Sequence, residues 1–260
     1  MTRFACGVEY DGSGYRGWQR LAHAITVQAA VENALGRVVD HALGVVCAGR
    51  TDARVHASGQ VIHFETLAPR SERALLMGGN SNLPEDIALT WVTPVAPDFH
   101  ARFSALARSY RYVILNRSTR SALLARRVAW VRAPLDAARM HAAAQSLLGE
   151  HDFSSYRAAG CQAKHPFREV RRIAVWRSGD LIYLDIEANA FLHHMVRNIA
   201  GVLIEVGMGK RPESWTAELL ALRNRDLAAP TARPQGLSLV AVSYPEHFGL
   251  PAPQPALRYG

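Results

Sequence analysis

Lysine is nearly missing from this chain of 260 residues: of thirty basic residues, only Lys164 and Lys210 are not arginine. With those two positions, no G-x-x-x-x-G-K-[ST] phosphate loop can be written anywhere in the sequence. Cysteine is scarce as well. Cys6, Cys47 and Cys161 are odd in number and far apart, which argues against a disulfide framework and against a zinc site with paired ligands. A reducing, cytoplasmic setting is the default expectation. No apolar run approaches the roughly 18 residues that a membrane span needs. Met1-Thr2-Arg3-Phe4 enters strand-like sequence at once, so no signal peptide is expected.

Acidic residues are the minority charge, twenty-two against thirty, leaving a formal +8. Genomic base composition explains heavy arginine usage equally well, but the distribution carries more. Ala101–Ala133 holds Arg102, Arg108, Arg111, Arg117, Arg120, Arg126, Arg127 and Arg132 without one Asp or Glu. Phe103, Tyr110, Tyr112 and Trp130 are interleaved with them. A stretch of one sign with aromatic faces suits a polyanion with stackable bases, as looped or single-stranded RNA is. The plain alternative is a solvated strand pair with core aromatics.

The periodicity predicts strands at 3–10, 45–48, 60–65 and 87–95, with helices from a Thr26 cap to about Val39 and from a Ser71 cap to about Gly78. The first half thus reads β-α-β-β-α-β. The second repeats the theme loosely: strands at 109–115 and 127–131, a helix over 134–148 and a hairpin of 170–177 with 181–187 around Ser178-Gly179-Asp180. Helices at 191–206 and 212–222 and a strand at 237–243 follow. The expected class is α+β, two ferredoxin-like split-βαβ halves with abutting sheets and a basic cleft between them. The division falls at 1–105 and 106–260, and the tail from Pro245 reads as an irregular strap.

Three segments carry candidate chemistry. Gly12-Ser13-Gly14-Tyr15-Arg16-Gly17 matches G-x-G-x-x-G after a strand, but a dinucleotide site needs a helix opening at the third glycine. Here eight residues, Trp18 to Ile25, intervene before Thr26, so the match is weak. In Ala48–Ala57, Asp52 sits between Arg50 and Arg54, whose charges would keep a carboxylate ionised. An ionised, positioned Asp serves as nucleophile, base or metal ligand, although read locally it is as readily a loop salt bridge. Asp52, His56 and His63 present no recognisable ligand spacing. On the helix expected over 191–206, His193 and Arg197 fall at i and i+4, while His193 and His194 diverge by about 100°.

Four segments then coincide with one family. Tyr10–Gln19, Gly49–Ala57, Asp98–Ser104 running into Arg108-x-Tyr110-x-Tyr112, and Ala190–Asn198 resemble, in order and spacing, the bacterial tRNA pseudouridine synthases of the TruA type. The resemblance implies isomerisation of uridine to pseudouridine at positions 38 to 40 of the anticodon stem-loop, without cofactor or metal, by a homodimer across which one tRNA spans. It further implies Asp52 as nucleophile, Arg197 as its charge partner and Tyr110 stacked on the target base. Arg50 would meet the RNA backbone and Leu237 would pack on the base, with His193 also at the substrate. The family's usual segment is Gly-Arg-Thr-Asp-Ala-Gly-Val-His-Ala, and Arg54 stands in place of its second glycine. A residue there with φ > 0 would cost about 1–2 kcal/mol. The expectation is ordinary dihedrals at Arg54 and a phosphate contact from its side chain. Two other classes stay open: a catalytically idle RNA-binding protein on the same scaffold, and a dinucleotide-dependent oxidoreductase.

Overall fold

The computed structural model describes residues 1–254 together with Ala256 and Tyr259. The chain forms two compact units, Met1–Arg108 with Ser238–Leu257 and Ser109–Leu237 with Arg258–Gly260. Both are built of helices and strands, so the class is α+β as expected.

In the first unit the order is β1 (Thr2–Tyr10), α1 (Val27–Val39), β2 (Val46–Cys47), β3 (His56–Thr66), α2 (Glu72–Asn82) and β4 (Ile87–Pro94). β1 runs antiparallel to both β3 and β4, and β2 pairs with the far half of β3 through Val46–His63 and Cys47–Ile62. That gives the 4-1-3-2 arrangement of a split βαβ fold. α1 buries Val27, Val31, Ala34, Leu35 and Val39, one stripe at helical spacing. Its buried Glu32 accepts the Val45 N–H at 2.9 Å and so ties the helix to the start of β2. Thr26 stands at the cap position, but its hydroxyl makes no cap bond. Ser71 does cap, accepting from the Ala74 N–H at 3.2 Å. α2 runs past Gly78 because its glycines face neighbours: a Cβ on Gly79 would lie 2.6 Å from Leu89, and one on Gly78 3.0 Å from Val38.

In the second unit, β5 (Ala107–Asn116) pairs in parallel with the short β6 (Ala129–Val131). The predicted helix over 134–148 shrinks to α3 (Ala137–Ala144), because Asp136 caps it by accepting from the N–H groups of Ala138 and Arg139. A short strand that periodicity did not show, β7 (Gly149–Asp152), pairs with β8 (Phe167–Ser178), and β8 forms the expected hairpin with β9 (Leu181–Ala188). The strand order is β5-β9-β8-β7. The helix expected from Phe191 starts only at Met195: α4 is Met195–Gly207, and α5 is Trp215–Leu222. α4 is buried on most of its surface, from Met195 and Val196 through Ile199, Val202, Leu203 and Val206. β10 (Leu237–Ser243) returns to the first unit, where Ser238 and Leu239 pair in parallel with His56 and Ala57 of β3. Among the described residues, no helix is long and apolar enough to cross a membrane.

Candidate active site

The loop from β2 to β3 carries Asp52, and the surrounding chain fixes it from two sides. On the first limb, the fully buried Gln60 side chain donates to the Gly49 carbonyl at 2.7 Å, and its Oε1 accepts the Gly49 N–H at 3.4 Å. A buried amide that satisfies both backbone groups of one residue holds that residue in place. Thr51 is buried, and its Oγ1 lies 2.7 Å from the Tyr10 hydroxyl.

The other limb rests on the glycine-rich segment after β1. The Trp18 N–H donates to the Thr51 carbonyl at 3.0 Å, and the Arg54 N–H donates to Tyr15 at 3.2 Å. A Cβ on Gly12 would sit 2.0 Å from the Val55 carbonyl oxygen; one on Gly17, at φ +98°, would sit 2.8 Å from the Thr51 carbonyl oxygen. The Gly12 N–H donates to Nδ1 of the buried His56 at 3.1 Å. Two glycines of the G-x-G-x-x-G segment, Gly12 and Gly17, therefore let backbone approach backbone around Asp52. Protein fills the space that a pyrophosphate would need, and α1 opens ten residues beyond Gly17, so the dinucleotide reading fails.

At the tip, the Val55 N–H donates to the Asp52 carbonyl at 3.2 Å, closing a turn with Ala53 and Arg54 at its centre. Arg54 has φ +64°. This overturns the expected ordinary dihedrals: the third position of such a turn takes positive φ and favours glycine. Asp52 is half-buried, with Arg50 and Arg54 exposed on either side. Arg50 and Arg102 both pull on the thiol of Cys47, but burial dominates and pushes it up to about 11. Cys47 is thus a thiol at neutral pH and no competitor to Asp52 as nucleophile.

The second unit supplies the other candidates. Tyr110 on β5 is buried, its ring set edge-on to Phe191 at 5.0 Å. Arg197 lies in the first turn of α4, where its Nε donates to the Ala232 carbonyl at 2.9 Å and its own carbonyl accepts the Ala232 N–H. Gly201, one turn on, admits the Pro230 carbonyl within 2.2 Å of where a Cβ would stand. Buried Asn198 donates to Tyr156 and accepts from Thr231 and Arg225. Beyond that anchor, the Arg233 carbonyl accepts the Tyr112 hydroxyl, and Gly236 packs on Val113 of β5. The buried Leu237 follows directly. One segment, 230–237, thus links the Arg197 helix to the Tyr110 strand.

His193 departs from expectation. It is exposed and precedes the helix, because His194 takes φ +61°. The His193 N–H donates to the Cys161 sulfur and its carbonyl accepts from Ala158. The i, i+4 relation to Arg197 on a helix face is therefore absent, and the two histidine rings do not diverge but lie 3.9 Å apart. The interleaved aromatics also divide: Tyr110 and Tyr112 are buried, and Trp130 packs on the cluster of Val113, Leu115, Val128, Leu181 and Tyr183. Phe103 alone of the four is exposed. Gln60, Asn198 and Phe191 support the site without having been singled out by sequence. β3 also carries His56, Ser58, His63 and Glu65, so no pattern in the sequence set Gln60 apart.

A family model described as tRNA pseudouridine synthase matches residues 7–104 and 143–245, which include Asp52 and Arg197. The chain belongs to this family. It is 56% identical over 253 residues to tRNA pseudouridine synthase A of Shigella boydii serotype 4, covering 97% of this chain and 94% of that protein. It is 57% identical, over the same shares, to the proteins of that name from Salmonella arizonae and Salmonella paratyphi B. A crystal structure of a Cbf5–Nop10–Gar1 complex is matched at a TM-score of 0.37 and 11% identity, over 91% of this chain and 48% of that one. Membership of the tRNA pseudouridine synthases makes the chain an isomerase that converts uridine to pseudouridine in tRNA.

Proposed function

We propose that this tRNA pseudouridine synthase acts on uridines 38 to 40 of the anticodon stem-loop, with Asp52 as nucleophile on a flipped base. The observation that carries the reading is the bracing of the Asp52 turn from two sides, by the Gln60 side chain and by the backbone of the glycine-rich segment. Such preorganisation suits a group whose position relative to a sugar and a base decides the rate. The reaction breaks the C1′–N1 bond, turns the uracil and joins C1′ to C5. The proton on C5 leaves and N1 gains one, so no cofactor need give or take electrons. An anionic Asp52 adds to C6 of the ring or to C1′ as the bond breaks.

Arg197 is proposed as the charge partner that keeps Asp52 anionic, and Tyr110 as the face along which the freed base turns. Leu237 packs on the base, His193 contacts the substrate, and Arg50 and Arg54 take phosphates. Phosphate contacts offset the few kcal/mol that flipping a stacked base costs. The enzyme is proposed to act in the cytoplasm as a homodimer, with one tRNA spanning both subunits.

The test is incubation of the purified protein, without added nucleotide and with chelator, with unmodified tRNA carrying uridine at these positions. Pseudouridine should form at 38 to 40 and be lost in Asp52→Asn and Asp52→Ala while tRNA still binds. Tight binding without turnover by the wild type would instead make the chain an idle RNA-binding protein.

A further inference from the structure

The segment that leads from β4 to β5 presents an aromatic face that no assigned role uses. Phe99 is buried in a nest with Tyr244, Phe248 and His63, at ring distances of 5.2, 5.1 and 6.0 Å. The backbone of Ala101 is held at both ends: its N–H donates to Nδ1 of His63 at 3.0 Å, and its carbonyl accepts the Tyr244 hydroxyl at 2.6 Å. Burial pushes His63 down to about 4, so at neutral pH it is the uncharged acceptor that this bond needs. His100 is equally fixed. Its Nδ1 accepts the N–H groups of Arg102 and Phe103, both at 3.2 Å, and its ring stands against His63 at 4.8 Å.

On this base lies the Phe103 ring, stacked on His100 with centroids 4.3 Å apart and planes at 27°. It is 76% exposed. An exposed apolar residue alone is ordinary; one laid flat on an anchored ring beside a guanidinium is a prepared stacking surface. The Arg102 guanidinium stands 5.6 Å from the Phe103 centroid. Arg108 ties this segment to the loop of Asp52, donating to the Arg102 carbonyl and, at 3.0 Å, to the Ala48 carbonyl. Arg50 and Arg102 approach Cys47 closely enough that both charges act on its thiol. The platform and the Asp52 loop therefore share one cationic edge within the first unit.

We propose that Phe103, backed by His100, is a stacking platform for an unpaired base of the tRNA other than the target uridine, with Arg102 taking an adjacent phosphate. This rests on tRNA being the substrate. An RNA base is the fitting occupant because an aromatic face serves any base through its π surface, while flanking arginines neutralise the backbone.

The experiment compares wild type with Phe103→Ala, Phe103→Leu and Phe103→Trp in affinity for unmodified tRNA at fixed salt and in single-turnover rate at saturation. Base stacking of the usual strength predicts about 5- to 150-fold weaker binding for Phe103→Ala and Phe103→Leu. Phe103→Trp should stay close to wild type, and the saturated rate should hold in all three. Arg102→Gln should lower the salt slope of binding by about one. Phe103→Leu binding as tightly as wild type would overturn the proposal. So would a change of oligomeric state in Phe103→Ala at unaltered tRNA affinity, which would make a second copy the occupant. A wild type that forms no pseudouridine would reject the underlying reading instead.

Discussion

Replacing Arg54 by glycine and, separately, by alanine divides two contributions that one side chain makes at the tip of the Asp52 loop. Arg54 holds φ +64° at the third position of the turn closed by Asp52 and Val55. A residue with a Cβ in that region costs about 1–2 kcal/mol. Glycine removes this cost but gains entropy in the unfolded chain, which returns about 0.4–1 kcal/mol. Alanine keeps the Cβ and removes only the cation. The bond from the residue-54 N–H to Tyr15 survives in both variants, since it is backbone to backbone. Arg54→Gly should therefore be more stable than Arg54→Ala by about 0.5–1 kcal/mol, a rise of roughly 1–4 °C in melting temperature. If the guanidinium meets a phosphate, both variants should lose tRNA affinity alike, with the salt slope reduced by about 0.7–0.9. Thermal melts and tRNA titrations over a salt series read the two effects independently. Equal stability of the glycine and alanine variants would refute the strain argument, and an unchanged salt slope would refute the phosphate contact.

Gln60→Leu removes both side-chain bonds to Gly49 inside a buried site and should destabilise by about 1–3 kcal/mol; because it frees one limb of the Asp52 loop, kcat should fall more than KM rises, and an unaltered kcat would show that the limb does not position Asp52. His63 is neutral in the fold and pushed down to about 4 by burial, so the unfolded chain, with its ordinary value near 6.5, binds the proton first as pH drops. Stability should then decline from about pH 6.5 towards pH 4, by at most about 1.4 kcal/mol per pH unit from this group. In denaturant titrations, His63→Gln, which keeps an acceptor for the Ala101 N–H, should show a shallower decline than wild type, and parallel curves would remove His63 as the cause.

The alternation and helical spacing of apolar residues were enough to place β1, α1, β3, α2 and β4, because each buries one face and a period reports a face. Periodicity was blind to β7, four mostly polar residues on a sheet edge with little to bury. It also overran at Phe191 and Pro134, where backbone geometry at His194 and the Asp136 cap set the helix starts. Asp52 was visible as a carboxylate between two arginines, and the order of four segments attached it to a family. The use of Gly12 and Gly17 was not visible, since a glycine spared for a phosphate and one spared for a neighbouring backbone read alike; only the approach of Val55 and Thr51 separates them. Likewise, arginines interleaved with aromatics say nothing of which rings face solvent. Packing put Tyr110 and Tyr112 inside and left Phe103 out. Sequence by itself determined the family, the α+β class and the charged neighbourhood of Asp52, because these follow from residue identity and local period. Tertiary structure alone decided the positive φ of Arg54, the bracing of the Asp52 turn and the exposure of Phe103, because each depends on contacts between residues far apart in the chain.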